Sequence, residues 1–132
     1  MSQEIHWLTL TLGMTLLFWV PYVLNRMAVR GIGGTLANPS PAATPLAPWA
    51  ERARAAHANA AENLVMFAPA ALAVHMLNLG NATTDLACAW YFYARLAHFI
   101  VYTAGIPVVR TLAFFAAWVG NALLVARLAG WI

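Results

Sequence analysis

Apolar residues run almost unbroken through four stretches of the chain, and helix-breaking or polar residues interrupt them at three places. The first stretch, about 5–29, is rich in Leu, Trp and Thr, carries Pro21 near its end, and leaves through Arg26 and Arg30. Gly31 to Pro48 contains three glycines and four prolines, so no helix persists and a loop is expected. The second stretch, about 49–79, starts near Pro48 or Trp49, where proline suits a first turn, and should bend at Pro69. Gly80 to Asp85 reads as a turn into a new helix start, with Thr83 or Thr84 as its cap. The third helix covers about 85–104, Gly105-Ile106-Pro107 interrupts it, and the fourth covers about 107–129. A membrane span needs about 20 apolar residues. The pattern therefore predicts an all-α, four-span integral membrane domain over residues 1–132, with no internal repeat.

Composition agrees with that pattern. The chain is 63% hydrophobic and only 8% charged, where soluble domains carry about 25% charged residues. All seven basic residues are arginine. The basic pI of 9.6 comes without a basic run or stacking platform, which argues against nucleic acid. Cys88 is the only cysteine, so an intramolecular disulfide and a thiolate metal cluster are excluded, and a small buried hydrophobe is expected there. The four histidines lack metal-ligand spacing, so no metal is expected. The start Met1-Ser-Gln-Glu4 has no positive region, and the first apolar segment is expected to stay as a helix. Arg26, Arg30, Arg52 and Arg54 flank the first loop and Arg110 follows the third connection. By the positive-inside rule both connections face the cytoplasm and both termini lie outside. Trp7, Trp19, Trp49, Trp90 and Trp131 fall near predicted helix ends, as interfacial anchors should. The arginine-only, alanine-rich make-up points to a bacterial protein, and hence to an inner-membrane location.

Ionisable groups inside these spans change the picture, because each costs about 2.5–3.5 kcal/mol at a helix centre unless it faces protein, water or a polar ligand. On the second helix Arg52, Asn59, Glu62 and Asn63 share an arc of about 100°, while Arg54 and His57 point elsewhere. On the third, Arg95, His98 and Tyr102 share an arc of about 60°. Arg110 stands about one turn into the fourth helix, with Phe114 and Asn121 on its side. Simpler readings exist for each. Asn63 is expected to join helices through a hydrogen bond, Arg95 to pair with Glu62 or Asp85, and Arg110 to snorkel towards headgroups. Asn121 is expected to bond a neighbouring helix, and His6, His57 and His75 to be structural or interfacial. So much polarity on two helices is easier to bury against a second copy of the chain than in one small bundle facing lipid.

In order along the chain, Glu51-Arg52 leading to His57-x-Asn59-x-x-Glu62-Asn63, then Arg95-x-x-His98-x-x-x-Tyr102, then Pro107-x-x-Arg110-Thr111-Leu112 resemble the MAPEG family, the membrane-associated proteins in eicosanoid and glutathione metabolism. The resemblance implies a four-helix bundle forming a homotrimer, with glutathione held between neighbouring subunits near the cytoplasmic side. By position, Asn59 and Glu62 would hold the tripeptide's polar ends, with Arg52, Arg95, His98 and Tyr102 helping. Arg110 would stand beside the sulfur as the catalytic cation. Catalytic relatives usually carry two further arginines where this chain has Ala55 and Ala58, and some carry tyrosine where it has Phe114. The implied function is a membrane-embedded, glutathione-dependent transferase or peroxidase acting on lipophilic electrophiles from the bilayer. The alternative is a non-enzymatic protein of the same fold that binds lipid or serves as a partner subunit.

Overall fold

Pro21 has no N–H to donate to Leu17, and its ring crowds that carbonyl. In the computed structural model, which describes residues 1–132, the first rod accordingly divides at Phe18 into α1 (Gln3–Leu17) and α2 (Trp19–Leu36). Phe18 itself stays in the right-handed helical region, so the interruption is slight. The rod also runs past the expected end near residue 29. Gly31 turns it at φ +69°, a conformation that glycine adopts at no steric cost, and a further helical turn follows to Leu36.

Three more helices complete an all-α chain: α3 (Pro48–Met76), α4 (Ala82–Ala104) and α5 (Pro107–Leu128). Pro48 and Pro107 sit in the first turns of α3 and α5. The end of α3 falls at Met76, short of 79, because Asn78 adopts φ +54°. Its N–H reaches His75 O at 3.1 Å and that of Leu79 reaches Val74 O at 2.9 Å, the paired bonds that close a helix through a left-handed residue. The cap of α4 is Asn81 rather than Thr83 or Thr84. Asn81 Oδ1 accepts from both threonine amides, and Thr84 Oγ1 accepts from Asn81 N at 2.8 Å. Thr84 thus acts as the reciprocal partner in a capping box.

The closest packing is between α4 and α5, with α3 against α4, α1 across α3 and α4, and α2 against α3. Gly120 sets the α4–α5 distance, since a Cβ there would stand 2.9 Å from Ala87 O. Small residues that let backbones approach are the usual device where lipid offers helices no hydrophobic drive to associate. Phe67 and Tyr91 stack at 3.9 Å in the middle of this core, among Ala70, Ala71, Val74, Ala87, Ala117 and Leu124. Trp90 lies two turns into α4 and donates Nε1–H to Ala116 O at 2.6 Å.

Much of the outer surface is apolar. Leu16, Val65, Leu86, Leu112 and Trp118 are all more than half exposed, a surface that needs lipid or another chain to cover it. Two helical lengths, Gln3–Leu36 and Pro107–Leu128, are long and apolar enough to cross a bilayer, with mean hydropathy 1.6 and 1.7.

Candidate functional site

Alanines at positions 50, 53, 56 and 60 form a fully buried stripe on α3, and their small side chains leave room for a large neighbour. Asn59, beside that stripe, accepts a hydrogen bond from Arg95 Nη2 of α4 at 2.8 Å. Arg95 is 1% exposed, and its Nε and Nη1 are buried without any partner. No carboxylate pairs with it: the expected partners Glu62 and Asp85 form no ion pair, and the single ion pair in the chain joins Arg54 to Glu51 at 3.0 Å. A guanidinium in this state is costly unless something else meets its remaining donors.

One turn further along α4, His98 is 2% exposed and its Nδ1 also lacks a partner. Its ring meets Tyr102 edge-on at 5.5 Å and Phe114 of α5 at 6.4 Å. The Arg110 guanidinium stands 4.5 Å above the Tyr102 ring, within the range of a cation–π contact. Five of the seven sequence-selected residues therefore form one continuous seam across α3, α4 and α5: Asn59, Arg95, His98, Tyr102 and Arg110. Asn59, Tyr102 and Arg110 are half-buried, so the seam opens at both ends and is sealed in the middle.

The other two residues are placed differently. Arg52 donates Nε–H to Thr103 O at 3.0 Å and packs against Gly105, whose φ is +81°. Its charge therefore sits at the C-terminus of α4, where the helix dipole favours a cation. Glu62 is exposed on the outside of α3, with no hydrogen bond or ion pair. Arg52 and Glu62 share a helix face in sequence, yet one caps a neighbouring helix and the other faces outward.

Two neighbours, Asn63 and Asn121, also depart from expectation. Asn63 donates to Asn59 O at 2.9 Å within its own helix, so it steadies Asn59 and joins no second helix. Asn121 Oδ1 is buried and bonds nothing, where an interhelical bond was expected. His57 is hydrogen-bonded to Tyr22 Oη at 2.8 Å, linking α2 to α3. Tyr22 escaped the sequence reading because the first span shows no polar stripe that would single it out. Cys88 is fully buried, as a small hydrophobe should be.

The MAPEG family model matches residues 5–130, nearly the whole chain. No curated protein and no solved structure matches it.

Proposed function

The chain belongs to the MAPEG family, and on that premise we propose that it is a membrane-embedded, glutathione-dependent transferase or peroxidase acting on lipophilic electrophiles. The observation that carries this reading is the Asn59–Arg95–His98–Tyr102–Arg110 seam, whose half-buried Asn59, Tyr102 and Arg110 open to the outside while buried Arg95 and His98 back them from within. Such a seam suits an anionic group at Arg110 and a polar one at Asn59. Glutathione supplies a thiol whose anion is the nucleophile.

The chain's own residues divide the work. Arg110 keeps its charge at every relevant pH, and its half-buried place over Tyr102 fits it to face the sulfur and favour the anion. Asn59 and the free carboxylate of Glu62 are the groups for the tripeptide's polar ends, Glu62 suiting its ammonium. Arg95 and His98 are closed off within one chain, so their part is to fix Asn59 and Tyr102. Arg52 holds the end of α4 in register with the start of α3.

The proposed assembly is a homotrimer of four-span subunits in a bacterial inner membrane, termini outside, each site completed by a neighbouring subunit. The outward-facing Glu62 and the exposed apolar surface support it. Native mass spectrometry in mild detergent reads the stoichiometry, and a clean monomer would remove the shared site. Cysteine labelling at positions 2 and 44 in intact cells reads the orientation, and periplasmic labelling at 44 would reverse it.

A second reading has its own observation. Ala55 and Ala58 lie exposed on α3 where family enzymes usually carry arginine, and the middle of the seam is sealed. Those features favour a protein of this fold that binds lipid or a partner subunit and catalyses nothing. Calorimetric titration of the detergent-solubilised protein with glutathione separates the two. Saturable binding between micromolar and low millimolar is expected, and no heat across that range would leave the second reading standing.

A further inference from the structure

At the end of the first rod, away from the seam, α2, the proline loop and the start of α3 line an open cavity of about 720 Å³. Arg26, Arg30 and Arg54 line it, with Thr35, Ser40 and Glu51. Three guanidiniums against one carboxylate leave it positively charged at any physiological pH.

The local backbone builds this cavity. Gly31 at φ +69° redirects the chain, so that the last turn of α2 closes back onto Arg30. The closure is tight: a Cβ at Gly34 would stand 2.8 Å from the Arg30 Cβ. Arg30 Nε donates to Thr44 O at 2.6 Å, and Ala47 N donates to Asn25 Oδ1 at 3.0 Å, which together tie the loop to the rod. Arg26 Nε is buried and has no partner. Arg54 holds only Glu51, across an exposed surface where such pairs contribute little. The cavity thus presents fork-shaped donors that nothing in the chain fully engages.

Its surroundings indicate the anion. The rod Gln3–Leu36 is long and apolar enough to cross a bilayer, and the cavity lies at its C-terminal end, where a spanning helix meets the headgroups. Val29, Ile32 and Leu36 are exposed beside the arginines, Ile32 at 66% and Leu36 at 80%. Guanidinium forks match phosphate oxygens in pairs, and flanking apolar side chains suit acyl chains. We propose that this cavity is a phosphate-binding site that takes the headgroup phosphate of an anionic membrane lipid. The site rests on the chain crossing the membrane and is independent of any thiol chemistry in the seam.

The test is native mass spectrometry of the full-length protein in mild detergent, titrated separately with dioleoyl phosphatidylglycerol, dioleoyl phosphatidylcholine and inorganic phosphate. Phosphatidylglycerol should bind saturably and more tightly than phosphatidylcholine. The double variant Arg26→Gln, Arg54→Gln should weaken it about tenfold or more, as loss of charge-assisted contacts predicts. Arg127→Gln, at the opposite end of the bundle, should not. Circular dichroism checks that the variants keep their helix content, and Arg26→Gln alone serves if the double variant does not. Undiminished phosphatidylglycerol binding in a folded variant overturns the site. Arginine-dependent binding of inorganic phosphate without phosphatidylglycerol binding overturns the lipid as its source.

Discussion

At the end of the bundle where α1 begins and α5 finishes, buried polarity is fully occupied. Glu4, 3% exposed, accepts from Thr84 Oγ1 at 2.8 Å, and Thr84 in turn serves the capping box of α4. Arg127 donates to Leu79 O at 2.8 Å and to Ile132 O at 2.9 Å. At the opposite end the arginines are left partly free: Arg26 Nε, Arg95 Nε and Arg95 Nη1 are buried without partners, as are His98 Nδ1 and Thr103 Oγ1. Folded proteins leave few buried polar atoms unsatisfied, because each costs about 1–3 kcal/mol. The contrast separates polarity that is fully paired from polarity left without a partner. Only Asn121 Oδ1, within α5, falls outside this division.

The sharpest way to break the comparison is to exchange one arginine from each end. On the proposed mechanism Arg110→Leu removes a charge-assisted contact to sulfur of about 1.5–3 kcal/mol. The acid dissociation constant of bound glutathione's thiol, read from its thiolate absorbance across pH, should then fall about ten- to hundredfold. Arg127→Leu should leave that absorbance unchanged and lower the melting temperature, since Leu79 O and Ile132 O lose their donor. An undiminished thiolate signal in folded Arg110→Leu would return that residue to a headgroup-snorkelling role.

Next in size is the helix contact on which both ends depend. Gly120→Val puts side-chain atoms where a Cβ alone would lie 2.9 Å from a backbone oxygen. Overpacking of this kind costs about 1–3 kcal/mol. Thermal unfolding in detergent should show the loss, and a melting temperature equal to the parent's would mean that α4 and α5 sit further apart.

Thr84→Val tests the satisfied end directly. It removes the donor to Glu4 and the acceptor for Asn81 N together. A buried acceptor left unsatisfied costs about 1–3 kcal/mol, part of which solvent near the helix start will recover. Stability should fall while glutathione binding, measured by calorimetry, stays the same. Lost binding with stability intact would tie the two ends functionally and dissolve the distinction.

Much of this architecture was legible in the sequence because it rests on local chemistry. Pro48 and Pro107 announce their helices, and Gly105 ends α4 at φ +81°, where a left-handed residue is required. The stripe Arg95, His98, Tyr102 was legible for the same reason, being fixed by helical spacing alone. Residues whose role depends on a long side chain or a neighbouring helix were not. Arg52 shares a face with Glu62 on paper, but its reach takes it to Thr103 O, 51 residues along the chain. Arg95 prefers Asn59 to either carboxylate, a choice set by how α3 and α4 approach along an alanine stripe. The turn after Gly31 was missed because three glycines in the segment 31–48 argue for a loop, whereas tertiary packing over Arg30 uses them to continue α2.

The smallest expected effect concerns Glu51, the one acidic residue lining the arginine cavity. Its pairing with Arg54 at 3.0 Å is between side chains 39% and 57% exposed. Exposed pairs contribute about 0–1 kcal/mol, so Glu51→Gln should leave the melting temperature nearly where it was. Its electrostatic consequence runs the other way. Removing the lone carboxylate frees Arg54 and raises the positive charge facing the cavity. Phosphatidylglycerol should therefore bind a few-fold more tightly, an increase that added salt diminishes for a surface charge. The thiolate signal of bound glutathione should not change, since the Arg110 seam and this cavity share no residue. Weaker lipid binding in Glu51→Gln would show that the carboxylate positions Arg54 for the phosphate, placing Glu51 among the groups that build the site.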